Sequence, residues 1–169
     1  MHVIEAARLL LASNVPVRFV LCGAGERLDE YKSAADGLSN VVFPGWVDKA
    51  KIQVLMRRSV AGLDPLPERS DFLATINNKA IIYLSAGLPV LSSPRRGVLF
   101  EFLNREQSGL SYDASDAKGL ARIAEDLIAD PKKRDGMAVN AGQVYREKFA
   151  PGVVLSSMAA YLSEAANSE

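Results

Sequence analysis

A second cysteine is missing from this 169-residue chain, so Cys22 has no partner for an internal disulfide, which fits a reducing cytosol. Histidine is almost absent too. His2 stands alone at the extreme terminus, which argues against a Ser-His-Asp or Cys-His nucleophile system. No group of His, Cys, Asp and Glu shows metal-ligand spacing. The chain carries no excess of one charge: 20 Lys and Arg balance 20 Asp and Glu, so nothing global points to nucleic acid or an anionic membrane. Long apolar runs are lacking as well. Runs such as Ala80 to Leu84 fall far short of the ~20 residues that a spanning helix needs. Residues 1–12 have neither a basic start nor a small-residue cleavage site, so they do not read as a signal peptide. Repeats, low-complexity tracts and flexible linkers are also absent. About half of the residues are hydrophobic, enough for a sizeable core.

What is present is an alternation of strands and helices. "VRFVLCGAG" (17–25) is a nearly continuous apolar run ending in glycines, the pattern of a strand buried on both faces. "ERLDEYKSAADGL" follows with Leu28, Tyr31 and Ala35 at helical spacing. "NVVFPGWV" is a second short strand, closed at Pro44-Gly45. Asp48 is placed to cap "KAKIQVLMRRS", in which Ile52, Leu55 and Met56 share the inward face. "VAGLDPL", "PVLSS" and "GLSYD" are three further strands, with helices 77–86 and 97–106 between them. Residues 115–165 read as three helical pieces parted by Asp130-Pro131 and Pro151, the first capped by Ser115 or Asp116. Such alternation predicts an α/β domain: a Rossmann-like, doubly wound parallel sheet of about five strands, forming one unit over 1–169 with closing helices at about 131–165.

In sheets of this kind ligands bind outside the carboxyl ends of the strands. Three features fall there. Gly23-Ala24-Gly25 ends the first strand and serves as a tight turn or as a close approach to an anion. Its glycine fingerprint is incomplete, with Leu28 at the third position. Gly45-Trp46-Val47 ends the second strand, either as a turn with Trp46 at the rim or as a ligand contact. "PERSDFLATINNK" leads into helix 77–86, whose start offers unpaired N–H groups and the side chains of Thr75, Asn77, Asn78 and Lys79. Asn77 can simply cap that helix, but Lys79 beside it favours an anion site.

The order of "FVLCGAGERLDEY", "LSNVVFPGWVDKAKIQVLMRRSVAGLDPL", "NNKAIIYLSAGLPVLSS" and the closing "GVLFEFLNREQSGLSYDASDAKGLARIAEDLIADPKKRDGMAVNA" resembles the C-terminal half of family 4 retaining glycosyltransferases of the GT-B fold. The resemblance covers essentially the whole chain and rests on order and spacing rather than on any single piece. In that family this half binds the nucleotide-sugar donor, the other half binds the acceptor, and no metal is required. The resemblance implies that Gly23 and Gly25 border the donor site, that Trp46 and Val47 flank the base, and that Thr75 to Lys79 approach the diphosphate. It names no catalytic residue here.

Two departures follow from the same resemblance. The family commonly reads Pro-Asn-Lys-x-x-Glu-Tyr-Leu-Ala-Ala-Gly, with the glutamate on the donor ribose; here Asn77 takes the proline position and Ile82 the glutamate position. A second acid, eight positions earlier, falls near Ala74. Losing a hydrogen bond to a charged acceptor costs ~1.5–3 kcal/mol, roughly ten- to a hundred-fold in affinity. Family members also carry a strand and a basic Gly-Arg and Lys-Gly loop ahead of the helix that matches Val3 to Leu11. The expectation is a sheet without its first, central strand, and hence two unpaired edges.

The chain therefore reads as the donor-binding half of a glycosyltransferase that moves a sugar from a nucleotide-sugar to a glycan or lipid-linked acceptor, in envelope or surface polysaccharide assembly. Its partners would be the nucleotide-diphosphate sugar and an acceptor domain in cis or in trans, and the isolated fragment would be inactive. No cofactor or metal is expected. The location would be cytoplasmic, peripheral to the membrane through that other domain. Self-association through an open cleft rimmed by Trp46, Phe72 and Leu73, or through sheet edges, is a further expectation. The alternative is a non-catalytic partner module with a degenerate nucleotide site. A dinucleotide-dependent oxidoreductase is disfavoured, since the second strand lacks an acid at its end.

Overall fold

A computed structural model of the chain describes residues 1–167. Among them the chain forms helix α1 (His2–Ala12), strand β1 (Phe19–Cys22), α2 (Leu28–Ala34), β2 (Val41–Gly45), α3 (Lys49–Arg58) and β3 (Gly62–Pro65). Then come α4 (Ser70–Leu73), α5 (Asn78–Ser85), β4 (Val90–Ser93), α6 (Val98–Arg105) and β5 (Gly109–Ser111). The closing helices are α7 (Ala117–Ala129), α8 (Pro131–Val144), a π-helical turn (Tyr145–Phe149) and α9 (Pro151–Ala166). Every strand pair is parallel, as the alternation predicts.

Local chemistry sets the boundaries. Asp48 accepts from Lys51 N at 2.9 Å, and Asp116, rather than Ser115, accepts from Gly119 N at 2.9 Å. Helix α5 ends in a Schellman motif: Gly87 (φ 67°) and Leu88 donate their N–H groups to Leu84 and Tyr83 carbonyls, and Pro89 bars continuation. Gly109 is needed for packing, since a Cβ there would run into the backbone of Val90 on the neighbouring strand.

The strands form two ladders, β1-β2 and β3-β4-β5, with no hydrogen bonds from β1 to β3, which is the interruption expected of a sheet without its central strand. Consecutive residues Val90 and Leu91 on β4 point to opposite faces. Leu91 joins Ala6, Ala7 and Leu10 of α1, Phe19 of β1 and Leu120 and Ala124 of α7 in one core. Val90 joins Ala80 and Leu84 of α5, Leu99, Phe102 and Leu103 of α6 and Ala141 and Val144 of α8 in the other. Fully burying each of these large side chains stabilises the fold by about 1.5–3 kcal/mol. The sheet region is thus doubly wound, with helices on both faces.

Other expectations are corrected. The first strand is not buried on both faces: Phe19 is buried, but Val20 is 39% exposed and Cys22 is exposed. Among the described residues no helix buries that side, and α3 buries none of its own residues fully, leaving Ile52, Leu55 and Met56 half-buried. The closing helices also divide. Helix α8 packs through Met137, Ala141 and Val144, whereas every residue of α9 is exposed, including Leu155, Met158, Tyr161 and Leu162. Those side chains meet no apolar face among the described residues.

Candidate functional site

The carboxyl ends of the strands gather most of the sequence-predicted positions. At the ends of β1 and β2, Gly23 N donates to the Gly45 carbonyl at 2.8 Å, which ties the two loops together. Both glycines have positive φ (145° and 73°), a conformation that a side chain would strain. A Cβ at Gly23, Gly25 or Gly45 would meet no atom within 4 Å, so each borders open space. Trp46 projects from this loop with 76% of its surface exposed, and Val47 is half-buried. The rim reading of Trp46 as a packed side chain is therefore replaced by a freely presented indole.

The second group sits at the end of β3 and the start of α5. Asn77 caps the helix, its Oδ1 accepting from Ala80 N at 3.0 Å. Its amide also donates to Asp64 Oδ2 at 2.6 Å. Asp64 lies on β3 with no exposed side-chain surface, and the Lys79 ammonium stands 3.6 Å from its Oδ1. That oxygen has no hydrogen bond. Asn78 and Thr75 are exposed, and the Thr75 hydroxyl donates back to the Asp71 carbonyl at 3.3 Å. Ile82 is 48% exposed, so the alternative of a core isoleucine against Trp46 and Val90 is removed.

Two tyrosines lie near Asp64. The Tyr83 ring lies over Gly62 and its hydroxyl donates to the Leu63 carbonyl at 3.2 Å. Burial, helped by the charges of Asp64 and Cys22, pushes its pKa up to about 12. Tyr112 is buried, 3.2 Å from His2 Nε2, and burial pushes its pKa up to about 12, with a Ser93 hydrogen bond opposing and Asp64 adding to the rise. Both hydroxyls stay protonated at neutral pH. Burial lowers the pKa of His2. Beyond them, the loop after β4 supplies Arg95 and Arg96, and Arg96 is held by Glu68 at 2.8 Å.

An open concavity of about 650 Å³ runs along α1, lined by His2, Glu5, Arg8, Ala34 and Ser115. It borders His2 but does not reach Asn77 or Lys79; we place the site by the strand ends and helix starts, where the polar chemistry converges. Asp64 is the residue that sequence reasoning missed. The signal was available: one acid inside the apolar strand "VAGLDPL" must find partners or stay out of the core. Among the described residues no group of three or more His, Cys, Asp and Glu could hold a metal.

The family model of group 1 glycosyl transferases matches residues 1–130. The chain is also 30% identical over 133 residues to the lipopolysaccharide core biosynthesis glycosyltransferase LpsE of Rhizobium meliloti, covering 77% of this chain. It belongs to the group 1 glycosyltransferases.

Solved glycosyltransferase structures share the fold. The C-terminal domain of LpcC from Francisella tularensis superposes with a TM-score of 0.73 at 19% identity, covering 89% of this chain and 78% of that one. Anabaena HepE in complex with UDP gives 0.75 at 23% identity over 96% of this chain and 44% of its own. WaaG, a glycosyltransferase of lipopolysaccharide biosynthesis, gives 0.70 at 19% identity over 88% of this chain and 39% of its own. At these identities the likeness speaks for the fold, a Rossmann-like GT-B half. This group 1 glycosyltransferase chain spans 37% of the length of LpsE.

Proposed function

We propose that this chain is the donor half of a glycosyltransferase, which binds a nucleoside-diphosphate sugar at the carboxyl ends of its strands. The full enzyme would pass the sugar to a glycan or lipid-linked acceptor held by another domain, on the cytoplasmic side. One observation carries the reading. Lys79 at the start of α5 stands beside Asp64 of β3, and the glycine turns at 23 and 45 follow β1 and close β2, at the strand ends where such folds take anions. Trp46 is the apolar surface available to a base, and Asn77 and Asn78 supply polar contacts at the helix start. Catalysis here would be positioning and charge stabilisation of the leaving diphosphate by Lys79 and helix N–H groups, without a metal. The HepE structures with UDP and with UDP-glucose add weight to a uridine donor.

Calorimetry with UDP, GDP and ADP, followed in parallel by Trp46 emission, tests this. Binding at millimolar or tighter affinity with a change in the indole signal is the expected result. Silence toward all three would overturn it and favour the second reading, a partner module. That second reading draws on Ile82 at the place of the family's acid and on the apolar, uncovered α9.

A further inference from the structure

Asp64 is a fully buried carboxylate with one oxygen left without a hydrogen bond. A carboxylate with no exposed surface is costly unless its oxygens are partnered. Oδ2 has a short bond from the Asn77 amide. Oδ1 has only the Lys79 ammonium, at 3.6 Å, beyond hydrogen-bond length. Lys79 in turn is 55% exposed and is the second residue of α5, beside the helix's own unpaired N–H groups.

The lysine therefore has two claimants: the buried carboxylate below it and any anion arriving above it. We propose that Asp64 is a built-in counter-ion for Lys79, which a diphosphate must outcompete on binding. This rests on the donor-site reading. Asp64 does not touch the ligand; it is a positioning residue that holds Asn77 and Lys79 at the mouth and tempers the site's grip on anions. An anion that draws Lys79 away leaves Oδ1 uncompensated in a poorly solvated place, and that cost is subtracted from its affinity. The consequence for an enzyme is faster release of the charged product and weaker trapping by free phosphates.

Asp64→Asn separates charge from shape, because the amide keeps the size and still accepts from Asn77. Its effect on preorganisation is a freer Lys79; its effect on charge is an unopposed ammonium next to the anion, and with charges a few ångströms apart the second dominates. We expect UDP and inorganic diphosphate to bind about threefold or more tighter to Asp64→Asn, while uridine is unchanged. In a Lys79→Met background the gain must shrink markedly, to the direct repulsion between carboxylate and anion alone, since most of the effect runs through the lysine. An equal gain with or without Lys79, an equal effect on uridine, or weaker UDP binding would overturn the inference. If wild type binds UDP and Asp64→Asn shows no gain, only this inference fails; if neither protein binds any nucleotide or diphosphate, it falls together with the donor-site reading. Where Asp64→Asn does not fold, the wild-type chain with 13C-labelled lysine side chains decides. The Lys79 resonance must shift on titration with inorganic diphosphate, and a resonance that stays put refutes the exchange of partners.

Discussion

The two ladders of this molecule are made of similar residues and are treated differently by the fold. Strand β4, in the three-stranded ladder, is buried at all four of its positions. Strands β1 and β2 are just as apolar, yet Val20 and Val42 are 39% and 37% exposed. The difference lies in their neighbours. Strand β4 has a strand on each side, α1 and α7 on one face, and α5, α6 and α8 on the other. The two-stranded ladder shares only the α1 and α7 core, through Phe19 and Val41, and its other face is left open at Val20 and Val42. An apolar strand reports what it could bury; its companions decide how much of that is realised.

The largest test of this contrast is a pair of truncations. Leu84 on α5 is fully buried against the three-stranded ladder, so Leu84→Ala should cost about 2–5 kcal/mol in urea unfolding. Val42→Ala on the exposed face should cost about 0.5 kcal/mol or less. Equal losses would mean that the exposed face of β1 and β2 is packed in solution.

Much of the fold was legible because its signals are local. Asp48, Asn77 and Asp116 cap helices, Gly87-Leu88-Pro89 stops α5, and the strand-helix alternation calls for parallel pairing. What stayed hidden depends on partners far along the chain. The apolar run at 19–22 looks the same whether or not a strand lies beside it. Leu155, Met158 and Leu162 on α9 fall at the spacing of a buried helix face and are not buried. At the site, Asn77 and Lys79 were readable from their place at a helix start. Their link to Asp64 was not, because the carboxylate and the amide that binds it lie 13 positions apart in the sequence.

The second test compares the exposed and the buried sides of α5. Ile82 is on the exposed side of the same helix that buries Ala80 and Leu84. Replacing it with glutamate should leave stability within about 0.5 kcal/mol, since no carboxylate is forced into the core. If position 82 takes the ribose-binding place that the family resemblance implies, the new carboxylate would supply an acceptor for two hydroxyls, and nucleoside-diphosphate affinity should rise by up to about ten- to a hundred-fold. Thermal melts and calorimetry read the two effects separately. A sharp fall in melting temperature without recovery on adding nucleotide would end the ribose-site assignment.

A smaller effect is expected where α8 and α9 are compared. Met137 on α8 is buried, and Leu162 on α9 is open. Leu162→Ser should change stability by no more than about 0.5 kcal/mol, while reducing any self-association seen by light scattering. A clearly destabilised Leu162→Ser would show that α9 folds back onto the domain.

The smallest effect is at the seam between the ladders, where α1 serves both. His2 opens α1 and its Nε2 lies 3.2 Å from the hydroxyl of buried Tyr112, behind β5. Burial lowers its pKa below the usual value of about 6.5. The unfolded chain therefore takes up a proton more readily than the folded one. Stability contributed by the neutral ring is complete above about pH 6.5 and declines as pH falls through that value toward the lower folded pKa. His2→Gln removes the titration while keeping a side chain that can reach the Tyr112 hydroxyl. Between pH 7 and pH 5 the wild type should lose more melting temperature than His2→Gln, and the two should run parallel above pH 7. Superimposable profiles across the whole range would place His2 in solvent, free of Tyr112.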